Sequence, residues 1–380
     1  MSNRIRYILL WLISLLSWPW RWRLRQRLHR GGVRRVLLIR PDHLGDMLFA
    51  SAALRRLRAG LVGAQIGLAV GPWSQAVAER YAPYYDALLT IPFPGFTRQA
   101  KGGWLAPYRT LWRESRKLRR WQRQHGRIDL AVNLRFDFWW GGLLCLLSGI
   151  PLLGYDTPLV RLFATIKVPY QAGQHEVEQN LTLVNFVISR WGQPVDTPPS
   201  PFFPLTEAER DWAAAWLRVG GWEGGGRLLV IHPGAGDPAK QWPTERWAAV
   251  ASLLLEEPES WLLLTGSGRE ESLCDALIRA QPKSARQRTI SAAGRTTLAE
   301  LAALLDRADL VMGVDSGPLH LASTLARPTL RLFGPSDAQI WGPWPTGDPQ
   351  HQVIKAARIS NISVAQVAQT ARAMLEVEQG

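Results

Sequence analysis

The chain has 380 residues, 47% of them hydrophobic, and a formal net charge of +14. That length exceeds one ordinary domain and leaves enough apolar material for two full cores. Its two cysteines, Cys145 and Cys274, stand far apart in apolar or helical contexts. They exclude both a disulfide framework and a cysteine-based metal pattern, and make a reducing compartment the expectation.

The basicity is concentrated at the start. Residues 1–35 hold nine arginines and no acid, which leaves +5 of the +14 for everything that follows. Tyr7 to Trp20 is a 14-residue apolar stretch rich in Trp, and alternating arginines follow from Arg21 to Arg30. A bilayer span needs roughly 20 apolar residues, so the segment suits an interfacial anchor better than a spanning helix. A short transmembrane helix is the second reading. No small-residue cleavage site precedes the arginines, which argues against a removed signal. Trp and Leu between the arginines point to anionic lipid, not nucleic acid, as the partner of residues 1–30. The expected location is the cytoplasmic face of the inner membrane.

Beyond Gly31-Gly32, strand and helix patterns alternate. Strands are expected at 33–40, 65–70, 87–91 and 128–134, with helices at 46–59, 74–81, 139–147 and 175–191. A basic, aromatic stretch at 93–124 interrupts them. Four prolines between Gly192 and Pro201 then mark the best domain boundary in the chain. The second half repeats the theme, with strands at 228–232, 261–265, 309–314 and 329–333. The organisation is a tail (1–32), an α/β domain (33–192), a Pro-rich linker (193–205), a second α/β domain (206–360) and a last helix (361–380). Alternation of this kind gives doubly wound parallel sheets, and two such domains frame a cleft at their strand ends.

Two strand-to-helix turns carry the chemistry. The run from Asp309 to Ala322 is a buried strand that passes through Asp315-Ser316-Gly317 into a helix, with Ser316 as the expected N-cap. The strand ending at His232 leads into Gly234 and Gly236, then Lys240, Trp242 and a helix capped by Thr244. Such turns aim backbone N–H groups and a positive helix end at one point, which suits phosphate. Neither domain's first strand leads into G-x-G-x-x-G, which argues against a nicotinamide or flavin oxidoreductase. The sequence has no Asp-x-Asp triplet and no ligand-spaced His, Cys or carboxylate cluster, so no metal site is expected.

In order, Val36-Leu-Leu-Ile-Arg40 with Leu44-Gly45-Asp46 and Ala52-Ala-Leu-Arg55 is followed by His232-Pro-Gly-Ala-Gly236 with Lys240 and Trp242. Then come Thr265-Gly266-Ser-Gly-Arg-Glu270, the 309–322 run and Leu332-Phe-Gly-Pro335. Over roughly residues 34–345 this pattern resembles the bacterial lipopolysaccharide heptosyltransferases of glycosyltransferase family 9. The resemblance implies two Rossmann-like domains in a GT-B arrangement. It implies inverting, metal-independent transfer without a cofactor, from a nucleotide sugar such as ADP-heptose to a lipid-linked or lipopolysaccharide-core saccharide. A different nucleotide sugar and envelope glycan, or a catalytically silent sugar-nucleotide binder, stay open.

Carried over from that motif, Asp46 is the catalytic base; its plain alternative is a helix N-cap. The donor site takes His232, Gly234, Gly236, Lys240, Gly266, Glu270, Asp315, Ser316, Gly317 and His320. Glu270 is placed for ribose hydroxyls, or is simply an acid in a helix first turn. Lys240 could equally be a solvated lysine, Asp315 a capping acid and His320 a packed core histidine. Arg40, Arg98, Lys101 and Arg135, with Arg109 and Arg113, are candidates for an anionic acceptor or a plain solvated face. The segment Asn133 to Trp140 departs from the small, polar sequence expected of the family there.

Overall fold

The computed structural model describes residues 3–96, 105–196 and 198–377. Arg98 and Lys101 lie outside the described residues. The chain forms two compact units, residues 1–199 and 200–380.

The first unit runs α1 (Asn3–Leu16), α2 (Trp18–Gly31), β1 (Arg35–Arg40), α3 (Leu44–Gly60), β2 (Gln65–Val70), α4 (Gln75–Glu79), β3 (Ala87–Thr90) and α5 (Ala106–His125). It continues with β4 (Leu130–Asn133), α6 (Trp139–Ser148), β5 (Leu152–Tyr155), β6 (Ile166–Val168) and α7 (Glu176–Trp191). All six strands are parallel, in the order β3-β2-β1-β4-β5-β6. β1 is central, and Val36 to Ile39 are buried on both faces, as expected of an inner parallel strand whose sequence is an unbroken apolar run. One side of the sheet packs Leu37, Ile39, Phe93, Phe138 and Trp140 with α5 and α6 into a single core.

The second unit runs α8 (Glu207–Val219), β7 (Leu228–His232), α9 (Thr244–Leu254), β8 (Trp261–Leu264), α10 (Glu271–Ala280), α11 (Lys283–Arg286), β9 (Thr289–Ser291) and α12 (Leu298–Leu305). Next come β10 (Leu310–Val314), α13 (Gly317–Thr324), β11 (Thr329–Phe333), α14 (Ala338–Trp341), β12 (His351–Lys355) and α15 (Val364–Val377). Its parallel order, β12-β11-β10-β7-β8-β9, repeats that of the first unit. Trp242 and Trp247, edge to face at 4.8 Å, anchor α9 in a core shared with Leu229, Ile231, Met312 and Leu330.

Each sheet has one point where the strand order reverses: between β1 and β4 in the first unit, and between β7 and β10 in the second. Crossovers leave in opposite directions on either side of such a point, so their loops part and open a crevice at the strand C-terminal ends. The turns after β1, β4, β7 and β10 therefore carry most of the candidate site residues for a topological reason, while Gly266 and Glu270 follow β8.

Several expectations are corrected in detail. β1 starts at Arg35 and not at Val33, because a bend precedes it. Thr244 is the first residue of α9, and Pro243 holds the cap position. Asp46 is not a cap either: α3 begins at Leu44 with His43 before it, which puts Asp46 in the first turn. The apolar and basic tail forms two helices laid on the first unit, where Leu10, Leu24 and Leu28 are buried. No helix among the described residues is long and apolar enough to cross a membrane.

Candidate active site and its two clusters

At the end of β1, Arg40 is 1% exposed and is the hub of a carboxylate cluster. Its guanidinium meets Asp42 Oδ2 at 3.0 Å, Asp46 Oδ1 at 3.3 Å and Glu176 Oε1 at 2.6 Å. It also donates to Asn180 Oδ1 at 3.0 Å. Helix α7 delivers Glu176 and Asn180 one turn apart, and His175 caps it by accepting from the Val177 N–H at 3.2 Å. Arg135, from the turn after β4, pairs with Asp42 and, at 2.6 Å, with Asp137, while its guanidinium lies 5.2 Å over Phe96. The Asp42 carbonyl is fixed by Trp73 Nε1 at 2.8 Å and Ser74 Oγ at 2.6 Å. Arg40 and Arg135 thus serve as internal counterions here. Arg40, expected to meet the acceptor, is fully occupied in holding the three acids.

Asp46 differs from its neighbours in one respect. Its side chain is 23% exposed, against 2% for Asp42 and 3% for Glu176. Desolvation and then the adjacent Asp42 charge push its pKa up to about 7, against the pull of Arg40. Glu176 is likewise raised by burial, and the three acids raise Arg40 above its ordinary value. A carboxyl group that reaches solvent and titrates near neutrality is a competent general base. His43 and Phe96 pack against Trp73 with ring centroids at 5.6 and 6.2 Å.

In the second unit, β7 and β10 are neighbours, with His232 in register with Gly313. Lys240 Nζ reaches Asp315 Oδ2 at 2.6 Å, which ties the turn after β7 to the turn after β10. On its other oxygen Asp315 faces His320 Nε2 at 3.5 Å. Behind His320 lies Arg331, fully buried in β11, which donates to His320 Nδ1 at 2.9 Å and to the Leu319 carbonyl at 2.9 Å. Arginine has no acceptor, so neutral His320 carries its proton on Nε2, toward Asp315. Burial lowers the His320 pKa and Arg331 adds to that. Asp315 is held well below the usual carboxylate range; burial opposes this, but His320 and Lys240 outweigh it. Arg331 itself is lowered by burial to about 9.

His232, also kept neutral by burial, lies 3.2 Å from Thr265 Oγ1. Glu270 accepts from the Ser267 N–H at 2.7 Å and hydroxyl at 2.8 Å, a capping box that uses one of its oxygens. Its other oxygen sits so close to Gly234 that an added methyl there would collide with it. Gly266 packs against the same side chain. His232, Gly234, Gly266 and Glu270 are therefore one neighbourhood, and Lys240, Asp315, Ser316, Gly317 and His320 another, on adjacent strand ends. Ser316 holds the N-cap position of α13 but makes no capping bond, and its Oγ is buried without a hydrogen-bond partner. An orphan hydroxyl at a helix N-terminus beside a lysine fits a phosphoryl oxygen that would accept from it.

Four contributors had no local sequence signal: Asp42, Glu176, Asn180 and Arg331. Only tertiary pairing across as many as 140 residues identifies them. Among the described residues no three His, Cys, Asp or Glu side chains are grouped to hold a metal ion.

The profile of glycosyltransferase family 9 (heptosyltransferase) matches residues 129–362. Lipopolysaccharide heptosyltransferase 3 of Escherichia coli is 29% identical over 226 residues, 57% of this chain and 63% of that protein. Lipopolysaccharide heptosyltransferase 1 of Pseudomonas aeruginosa is 27% identical over 313 residues, 81% of each. Among solved structures, the family 9 glycosyl transferase of Veillonella parvula superposes with a TM-score of 0.74 at 22% identity, over 90% of this chain and 97% of that one. The E. coli ADP-heptose lps heptosyltransferase II gives 0.70 at 20% identity, over 91% and 100%. With both strand-order reversals and the polar clusters beside them in place, the chain belongs to glycosyltransferase family 9 and is a glycosyltransferase.

Proposed function

We propose that this enzyme transfers heptose from ADP-heptose to a saccharide of the lipopolysaccharide-core type, with inversion and without a metal ion, in a GT-B arrangement. The observation that carries the reading is Asp46: a partly exposed carboxyl raised toward neutrality by desolvation and then by the Asp42 charge, against the pull of Arg40. The identity of donor and acceptor is supported by what the relatives are called.

In this reading the second unit holds the nucleoside diphosphate on the turns after β7 and β10. Lys240 and the α13 N-terminus face its negative charge, and the Ser316 hydroxyl donates to a phosphoryl oxygen. The acceptor hydroxyl attacks the anomeric carbon on the face opposite the diphosphate. A carbon–oxygen bond forms there as the bond to the phosphate oxygen breaks, ADP leaves with the electron pair, and Asp46 takes the hydroxyl proton. Charge grows on the diphosphate as the bond breaks, so the groups that bind the donor also stabilise the transition state. In this reading Lys240, the α13 N-terminus and turn amides supply that stabilisation in place of a metal ion.

Incubation with ADP-heptose and a deacylated core acceptor is expected to release ADP. Asp46→Asn should lower turnover by about 10²–10⁴-fold, the usual worth of a positioned base, with nucleotide affinity unchanged. Release of ADP by Asp46→Asn at the native rate would remove the aspartate from this role. Equal turnover with other nucleotide sugars would remove the heptose assignment.

A further inference from the structure

Helices α1 and α2 form a rod-like pair with only Ser17 between them. Backbone bonds run through the junction, from the Ser17 N–H to Ile13 O at 3.0 Å and from the Arg21 N–H to Ser17 O at 2.9 Å. Leu10, Ser14, Leu24 and Leu28 are buried, and three- and four-residue steps put them on one stripe against the first unit. Polar clasps hold it there. Ser14 Oγ donates to Leu162 O at 2.7 Å, and Arg27 donates to Ile128 O at 3.1 Å and Gly149 O at 3.3 Å. Arg21 folds back onto Ser14 O at 2.9 Å. The rod is therefore laid along the protein.

The opposite side is the inverse of a soluble surface. Of the fourteen large apolar side chains exposed among the described residues, ten fall between Tyr7 and Trp22. Leu16 is 84% and Trp18 63% exposed, and a patch this concentrated marks an interaction surface. Arg23 and Arg25 are exposed just beyond the Trp cluster, on the same rod. A second cationic element adjoins it. Arg119 and Gln122 of α5 donate to Leu147 O and Ser148 O, the same corner that Arg27 reaches at Gly149. Helix α5 carries seven Lys and Arg, and its single acid, Glu114, is buried at 3% exposure. Its Trp112 is 61% exposed, with the Arg116 guanidinium 4.5 Å over the ring.

We infer that α1, α2 and the outer side of α5 form one lipid-docking flank, which seats the acceptor-side unit on an anionic membrane surface. The apolar edge of α1 enters the head-group boundary, the tryptophans sit at that boundary, and the arginines face the lipid phosphates. Helix α1, with 14 residues, is about 21 Å long, short of the roughly 30 Å hydrocarbon core, and its buried stripe is already spent on protein. It lies flat. A second protein chain would meet this patch with a poor match, because arginines border the apolar surface and no acid accompanies them on the rod. The inference stands apart from the donor assignment, since nucleotide binding by the second unit is a separate readout.

The test is cosedimentation of the full chain with vesicles of phosphatidylethanolamine and phosphatidylglycerol, against phosphatidylcholine alone. Binding is expected to be at least tenfold stronger to the anionic vesicles and to weaken with salt. Trp11→Glu with Leu16→Glu should abolish it, and Arg23→Glu with Arg25→Glu should reduce it at least tenfold. Both pairs should keep the melting temperature and nucleotide affinity, as these side chains point away from the core. Failure to bind anionic vesicles, or equal binding by the apolar variant, overturns the inference. So does light scattering that shows a dimer dispersed by Trp11→Glu with Leu16→Glu, since the patch would then be an interface between copies.

Discussion

At the scale of single residues, the decisive balance is three acids around one arginine. Arg40 can compensate Asp42 and Glu176 at 3.0 and 2.6 Å, and Asp46, at 3.3 Å, takes what remains. Desolvation, and then the Asp42 charge, raise its pKa, and that shift is a stability statement. Below pH about 4 the group is protonated in both the folded and the unfolded chain and contributes nothing. Between about 4 and 7 the folded state holds the extra proton, so stability falls as pH rises; above 7 the whole penalty is present. Asp46→Asn should thus raise the melting temperature by a few degrees at pH 8, about 1–2 kcal/mol, and by nothing at pH 4. Scanning calorimetry across that range checks it. A variant destabilised at pH 8 would show that the native charge is compensated after all. Arg331 plays the matching part in the second unit, where it fixes the proton of His320 on the nitrogen facing Asp315.

At the scale of elements, function sits on turns that leave neighbouring strands. Gly234 follows β7 and accommodates the Glu270 side chain that comes from the turn after β8. Gly234→Ala should push Glu270 out of its capping box and weaken nucleotide binding about tenfold or more by isothermal titration, while Asp46 and its cluster stay intact. Unchanged affinity would free Glu270 and Gly234 from the donor site. This is also the scale at which the sequence is most readable. His232, Lys240, Asp315 and His320 lie within contiguous strand-turn-helix runs, and local order makes their shared strand edge visible. Glu176 and Asn180 look like an unremarkable polar side of an amphipathic helix, because their partner Arg40 is 136 and 140 residues away. Arg331 carries no local signal in the strand Thr329–Phe333, yet it is fully buried and bonded to α13. The short strands β5, β6 and β9 leave too few residues for any periodic signal.

At the scale of the whole molecule, one architecture occurs twice and is used for two tasks. Both sheets reverse order beside their first strand, and both hold a buried arginine near the site acids: Arg40, at the end of β1, pairs with Asp46, and Arg331, one strand further out in β11, backs the His320 that faces Asp315. In the proposed reading, the first turn holds the base and the second gathers cationic and N–H groups for a leaving diphosphate. The apolar and basic character of the tail was legible in composition, but its inner stripe of Leu10, Leu24 and Leu28 was not, because only the docked rod separates inward from outward residues. The central claim is that Asp46 accepts the proton of the attacking hydroxyl. The most direct measurement is the pH dependence of kcat/KM for ADP release with saturating acceptor, in the native enzyme and in Asp46→Asn. The native profile is expected to rise tenfold per pH unit at low pH and level off near pH 7, and the variant to be slow and flat across the same range. A native profile already level at pH 5, or a variant with the same limb near 7, would contradict it.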